Sequence, residues 1–242
     1  MSDPLRDREQ GTGWTGPLPA RRLLLAVAIA GAIAGARAEP AAAQARRDIQ
    51  SWLSAEGRVE FTRRVRVGVE QDLRIGREAG FERTHTGLEI KVELSRYFGA
   101  AAHYRFIATD EEIRHRIAGD LEAEVRPGKL RVSYRLRLQA TSREQDDPLI
   151  PMRHRVKLGF DGPHRLEPFA AAEISYLLSP AAEYRERRLY LGLAWGVTRR
   201  LNLTAYVLSL AESNVQMPDE FTVIGLGVSY RFRDARKRKR GG

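Results

Sequence analysis

The chain has 242 residues, 43% hydrophobic and 30% charged, with 21 Gly, 11 Pro and no Cys. Without Cys there is no disulfide framework, no thiolate metal centre and no thiol catalysis. The net charge of +10 is uneven: residues 233–242 carry six basic groups and one acidic, while residues 46–232 carry 30 basic and 26 acidic, a net of +4.

In chain order, the first patterned segment is apolar. Arg21 and Arg22 precede the run from Leu23 to Gly35, and Ala36-Arg37-Ala38 and Ala43-Gln44-Ala45 follow it. Thirteen apolar residues are too few for a spanning helix but fit the core of a secretory signal with small-x-small cleavage patterns behind it. Residues 1–45 therefore read as a Sec-type signal peptide cut near Ala45, with Ala38 as the other site. Pro40 would break the helix ahead of the Ala45 site. A buried helix or an uncut anchor is the plainer alternative. Beyond residue 40 no run of 18 apolar residues occurs, so no helical span is expected there.

From Trp52 onward the hydrophobicity alternates with period two. Candidate strands cover residues 52–61, 64–75, 87–95, 100–108, 116–125, 129–141, 152–160, 167–177, 187–197, 200–210 and 221–232. In residues 129–141, Leu130, Val132, Tyr134, Leu136 and Leu138 oppose Arg131, Ser133, Arg135, Arg137 and Gln139. Many segments exceed the 5–6 residues usual in globular strands and approach the 9–11 that cross a bilayer at a tilt. The connections alternate in length: short at Thr62-Arg63, Tyr97-Phe98, Pro127-Gly128, 161–165 and Thr198-Arg199, longer at 76–86, 109–113, 142–151, 178–186 and 211–220. Short turns on one rim and longer loops on the other fit an exported barrel. The fold class expected is all-β: an antiparallel up-and-down transmembrane β-barrel over residues 46–232. Such barrels have even strand counts, so 10–12 strands are expected, with one segment of the eleven missed or split.

With Pro127-Gly128 as a two-residue turn, Glu124 faces Arg131 and Asp120 faces Arg135, an arrangement that supports charge pairs inside a narrow lumen. Phe61, Tyr97, Phe98, Phe160, Trp195 and Phe232 fall near the short-turn ends, where an interfacial girdle belongs. The bland alternatives are a soluble β-protein with a solvated charged face, and aromatics that are merely common in strands.

The last segment, Thr222 to Phe232, ends in Tyr230-Arg231-Phe232 and looks like the closing strand of outer-membrane barrels. The region from Gln50-Ser51-Trp52 to Phe232 resembles the domain-of-unknown-function 2490 family of bacterial outer-membrane-type barrels. The matching features are Trp52, Tyr104-Arg105, Arg114-His115-Arg116, Tyr134-Arg135-Leu136-Arg137, Arg153-His154-Arg155, Glu167-Pro168 with Glu173, and Arg187-Arg188. The resemblance implies a fold and a location and brings no activity. Ten residues follow Phe232, which departs from a terminal closing signal.

Acidic groups crowd the longer connections (Asp110-Glu111-Glu112, Asp146-Asp147, Glu186, Glu212), and basic ones the shorter (Arg63, Arg64, Arg96, Arg126, Lys129, Arg165, Arg199, Arg200). An outward acidic rim would share divalent cations with lipopolysaccharide phosphates. The tail, residues 233–242, is too charged to fold alone. It would hang in the periplasm beside anionic groups, and a signal peptide speaks against a nucleic-acid arm. The five histidines form no metal spacing, and His154 near Asp146 and Asp147 is the nearest approach to a catalytic dyad. The expectation is a non-enzymatic, monomeric, cofactor-free barrel of the bacterial outer membrane. It would be inserted by the barrel-assembly machinery, serving structure or small-solute transport. A rim enzyme or adhesin, and a soluble periplasmic β-protein, are the alternatives.

Overall fold

The computed structural model describes residues 46–76, 80–142, 150–178, 183–214 and 219–233. The expected signal peptide and cleavage sites, the tail from residue 234, and Asp146-Asp147 lie outside them. Eleven strands follow in order: β1 (Arg46–Glu60), β2 (Val65–Gly76), β3 (Gly80–Glu93), β4 (Phe98–Thr109), β5 (Ile113–Val125), β6 (Leu130–Ser142), β7 (Pro151–Phe160), β8 (Leu166–Leu177), β9 (Glu183–Trp195), β10 (Leu201–Glu212) and β11 (Asp219–Arg233). Each corresponds to one alternating segment of the sequence. Among the described residues the helical content is one 3₁₀ turn, Pro163–Arg165.

The strands close into a barrel in chain order, with every sequential pair antiparallel and β11 closing on β1 in parallel. This corrects the even-count expectation: among the described residues no strand is missed or split, and the closed sheet has eleven. In a meander the direction reverses at each turn, so the first and eleventh strands point the same way and meet in parallel. The start of β1 and the end of β11 consequently lie on opposite rims.

The connections also depart from expectation. One rim, the turn rim, carries residues 61–64, 94–97, 126–129, 161–165 and 196–200; the other, the loop rim, carries 77–79, 110–112, 143–150, 178–182 and 213–218. Two expected long loops, 76–86 and 109–113, therefore shorten to three-residue connections, because β3 and β5 begin earlier than their apolar alternation. Three turns on the turn rim share one device. Thr62 Oγ1 accepts the amides of Arg64 and Val65, Ser95 Oγ those of Tyr97 and Phe98, and Thr198 Oγ1 those of Arg200 and Leu201. A hydroxyl that satisfies two turn amides fixes the reversal locally. The residues between, Arg63-Arg64, Arg96-Tyr97 and Arg199-Arg200, make this rim basic.

The Pro127-Gly128 hairpin is looser than a two-residue turn. Val125 pairs with Val132, Asp120 with Arg137 and Glu122 with Arg135, two residues beyond the expected register. Leu130 N bonds Pro127 O across the turn, and Gly128 sits at φ +64, where an L side chain is strained. A two-residue slip keeps every side chain on its face, since the strand period is two. Only the partners change.

Burial is inverted relative to a globular protein. Buried side chains include Gln50, His85, Asp120, Gln139, Thr141, Glu173 and Ser175, all facing inward. Exposed ones include Leu191 at 70% and Ile117 at 62%, with Leu121, Val69, Val207, Ile224 and Leu226 among the others. Among the described strand residues, the register pairs put Arg187, near the loop-rim end of β9, and Glu220, near the loop-rim end of β11, on the outward face, both away from the middle of the band. The aromatics Phe61, Tyr97, Phe98, Phe160, Trp195 and Phe232 are all exposed and ring the turn rim. Tyr230 packs edge-on against Phe232 in the same ring.

Candidate functional site

The interior is the site, because alternation sends the charged row of most strands inward. Eleven strands spaced about 4.8 Å apart and tilted about 40° give a backbone radius of about 11 Å. A cavity of about 710 Å³ remains inside, lined among the described residues by eleven Arg and seven Asp or Glu.

Two buried acids organise the middle of the lumen. Asp120, 3% exposed, accepts two bonds from Arg137, Nε at 2.6 Å and Nη2 at 2.7 Å, and lies 3.0 Å from His103 Nε2. Glu173, 2% exposed, lies 2.9 Å from Arg135 Nη2 and 3.6 Å from both Arg153 Nη1 and Arg188 Nη1. Several pairs reach across an intervening strand: Arg105 of β4 to Glu70 of β2, Lys91 of β3 to Glu122 of β5, and Arg131 of β6 to Glu167 of β8. Such reach is available only on a concave face, where long side chains converge. Charge-assisted bonds of this kind hold the inner wall together provided both charges keep their partners.

The four lumen charges expected to pair do so with altered partners. Asp120 meets Arg137 in place of Arg135, and Arg135 turns to Glu173. Glu124 and Arg131 remain 3.9 Å apart, but Glu124 bonds Arg126 at 2.6 Å and Arg131 bonds Glu167 at 2.8 Å. The register shift is the cause. The acidic rim is also partly drawn inward: Glu112 pairs with Arg114, Glu186 pairs with Arg188, and Glu186 and Glu212 line the cavity. His154 faces outward, with Nδ1 2.7 Å from the Tyr134 hydroxyl and its ring edge-on to Tyr176. His115 has the same relation to Tyr104, at 2.7 Å.

Three features escaped the sequence reading. A β-bulge between Arg74 and Ile75 leaves Glu82 without a pairing partner beside Arg83, and Glu82 accepts a bond from the buried Gln50. Nothing in the alternation marks it. An apolar inner cluster, Leu208, Leu210 and Val223 with Trp52, Tyr190, Tyr206 and Phe221, fills the wall formed by β9, β10, β11 and β1. Its signal is the run Tyr206-Val207-Leu208-Ser209-Leu210, apolar on both faces. Gly225 makes room for Tyr206, since a Cβ there would overlap the ring. Arg74 stacks over Trp52 at 3.7 Å and Arg155 over Tyr190 at 4.5 Å, so the apolar wall also carries guanidinium charge.

Comparison with curated proteins and with solved structures found no match for this chain. A family model, "Protein of unknown function (DUF2490)", matches residues 49–217, from β1 through β10, and stops short of the closing strand β11. This match covers most of the chain, and the protein belongs to the DUF2490 family.

Proposed function

We propose that this protein is an exported β-barrel of a bacterial outer membrane, with its outer face in lipid and its charged lumen serving structure or the passage of small solutes. The observation that carries the reading is the inverted burial: a largely apolar outer band, with no Asp, Glu, Lys or Arg at its middle among the described residues, around an ionic interior. In water that band would aggregate, whereas in a bilayer it is solvated by acyl chains. A 12-residue strand such as β2 extends about 40 Å, and a tilt of about 40° reduces this to about 30 Å, the thickness of the hydrocarbon core. Closure leaves no unpaired edge for lipid to meet. The exposed aromatics at the turn rim, and the basic turns beyond them, fit an interface with anionic headgroups. Lipid including lipopolysaccharide, and the machinery that inserts barrels, are the partners this reading calls for.

The test is to express the whole chain, fractionate the envelope and compare gel mobility with and without boiling. Recovery in the outer membrane with a heat-dependent shift is expected. A soluble periplasmic protein with no shift would overturn the reading.

A further inference from the structure

On the loop-rim half of the lumen, three arginines have no carboxylate partner among the described residues. Arg74 and Arg83 are directly paired across β2 and β3, and Arg116 lines the same cavity from β5. None of the three has a carboxylate within ion-pair distance among the described residues. Arg74 lies on Trp52, Arg116 donates to Thr141 Oγ1 at 2.9 Å, and Arg83 Nε is buried with no hydrogen-bond partner. His85 lines the cavity between them at 2% exposure, and neither ring nitrogen has a hydrogen-bond partner. The imidazole interacts electrostatically with Arg74, Arg83, Arg105 and Arg116. The nearest acid, Asp72, stands 3.6 Å from His85 Nδ1 and 3.9 Å from Arg105 Nη1. Glu82, next to Arg83, is engaged by Gln50.

Guanidinium groups held close together in a confined space repel one another, and buried polar nitrogens without partners are costly. The aspartate and glutamate hubs at Asp120 and Glu173 show how this lumen neutralises arginine elsewhere. Among the described residues Arg74, Arg83 and Arg116 have no such hub: Asp72, Glu82 and Glu186 act on Arg74 and Arg83 only from beyond ion-pair distance. We propose that Arg74, Arg83, Arg116 and His85 form an internal binding site for a small oxyanion, a phosphate or carboxylate group entering from the loop rim. Planar guanidinium donors match the paired oxygens of such groups, and the imidazole adds one further donor. The surrounding strands keep lipid headgroups out of the lumen, so the ligand is a free solute. This site rests on the barrel reading above and supplies its solute class.

The test is equilibrium dialysis of labelled inorganic phosphate against the full chain purified in detergent, beside Arg83→Gln/Arg116→Gln and the rim variant Arg126→Gln. Saturable binding is expected, weakened at least tenfold in the double variant and unchanged in Arg126→Gln. Because Arg74 lies on Trp52, indole emission should change with the same midpoint. Absence of saturable binding, or binding that survives the double variant, overturns the site. Should the double variant fail to give the folded band, Arg83→Gln alone serves, with threefold weakening expected and an unchanged affinity counting against the site. The unboiled gel separates the two readings: a folded membrane band without phosphate binding sinks the oxyanion site alone. A soluble protein that binds phosphate sinks the membrane reading and leaves the site.

Discussion

Replacing Glu173 by Gln tests whether the lumen is an ionic core. Gln keeps the volume, so no cavity forms, but Arg135, Arg153 and Arg188 lose the charge they share at 2.9, 3.6 and 3.6 Å. At an effective dielectric constant of about 20, each contact is worth about 5 kcal/mol before desolvation is counted. Breaking a buried pair costs about 3–5 kcal/mol net. Arg188 retains Glu186, which places this case near the lower end, about 3 kcal/mol. With a urea slope of about 2 kcal/mol/M, the unfolding midpoint should fall by about 1.5 M. The measurement is tryptophan fluorescence of the folded barrel in detergent during urea titration. Glu124→Gln is the control, because Glu124 pairs with Arg126 at the exposed turn rim, where such a pair contributes about 0–1 kcal/mol. Equal shifts of under about 0.5 M for both variants would refute the idea that Glu173 anchors the interior.

Three further outcomes follow from the geometry. Leu191→Arg, on the most exposed apolar position of the outer band, should cost about 2–4 kcal/mol in lipid vesicles and almost nothing if the face meets water; a free-energy change near zero in vesicles counts against lipid contact. Gly225→Ala should destabilise the barrel by about 1–3 kcal/mol through overlap with Tyr206, and Tyr206→Ala in the same chain should relieve the overlap; an undiminished midpoint in Gly225→Ala alone would contradict the close approach. Cysteines placed at Ser51 and Ile224, Cα partners across the parallel seam in a chain with no native Cys, should crosslink under mild oxidation, whereas Ser51 with Val228 should not. Failure of the first pair would argue that β11 does not close on β1.

The fold was largely legible before any coordinates. Period-two alternation is a one-dimensional signal, and each strand here meets two different environments on its two faces. Val65 through Ile75 and Leu130 through Leu138 therefore declared their strands and their outward rows unaided. Strand ends were less legible, because Gly80 to Thr86 and Glu183 to Glu186 carry polar residues that alternation does not score. The candidate site was half legible. That Asp120, Glu124, Arg131 and Arg135 share a face follows from parity, and parity survives a two-residue slip. Which acid meets which base does not follow, because a four-residue turn at 126–129 in place of a two-residue one changes every partner.

The amino-acid sequence by itself determined the alternating segments, the apolar and ionic faces, the aromatic ring near the turns and the basic turn motifs, since all of these depend on residues close together in the chain. Only the tertiary structure decided that the segments are eleven strands, the parallel closure of β1 on β11, the strand-skipping ion pair of Arg135 with Glu173, the bulge that leaves Glu82 beside Arg83, and the guanidinium groups around His85 that lack a carboxylate partner among the described residues. Those depend on curvature, which brings residues dozens of positions apart onto one concave surface, and no local pattern encodes the radius at which a sheet closes.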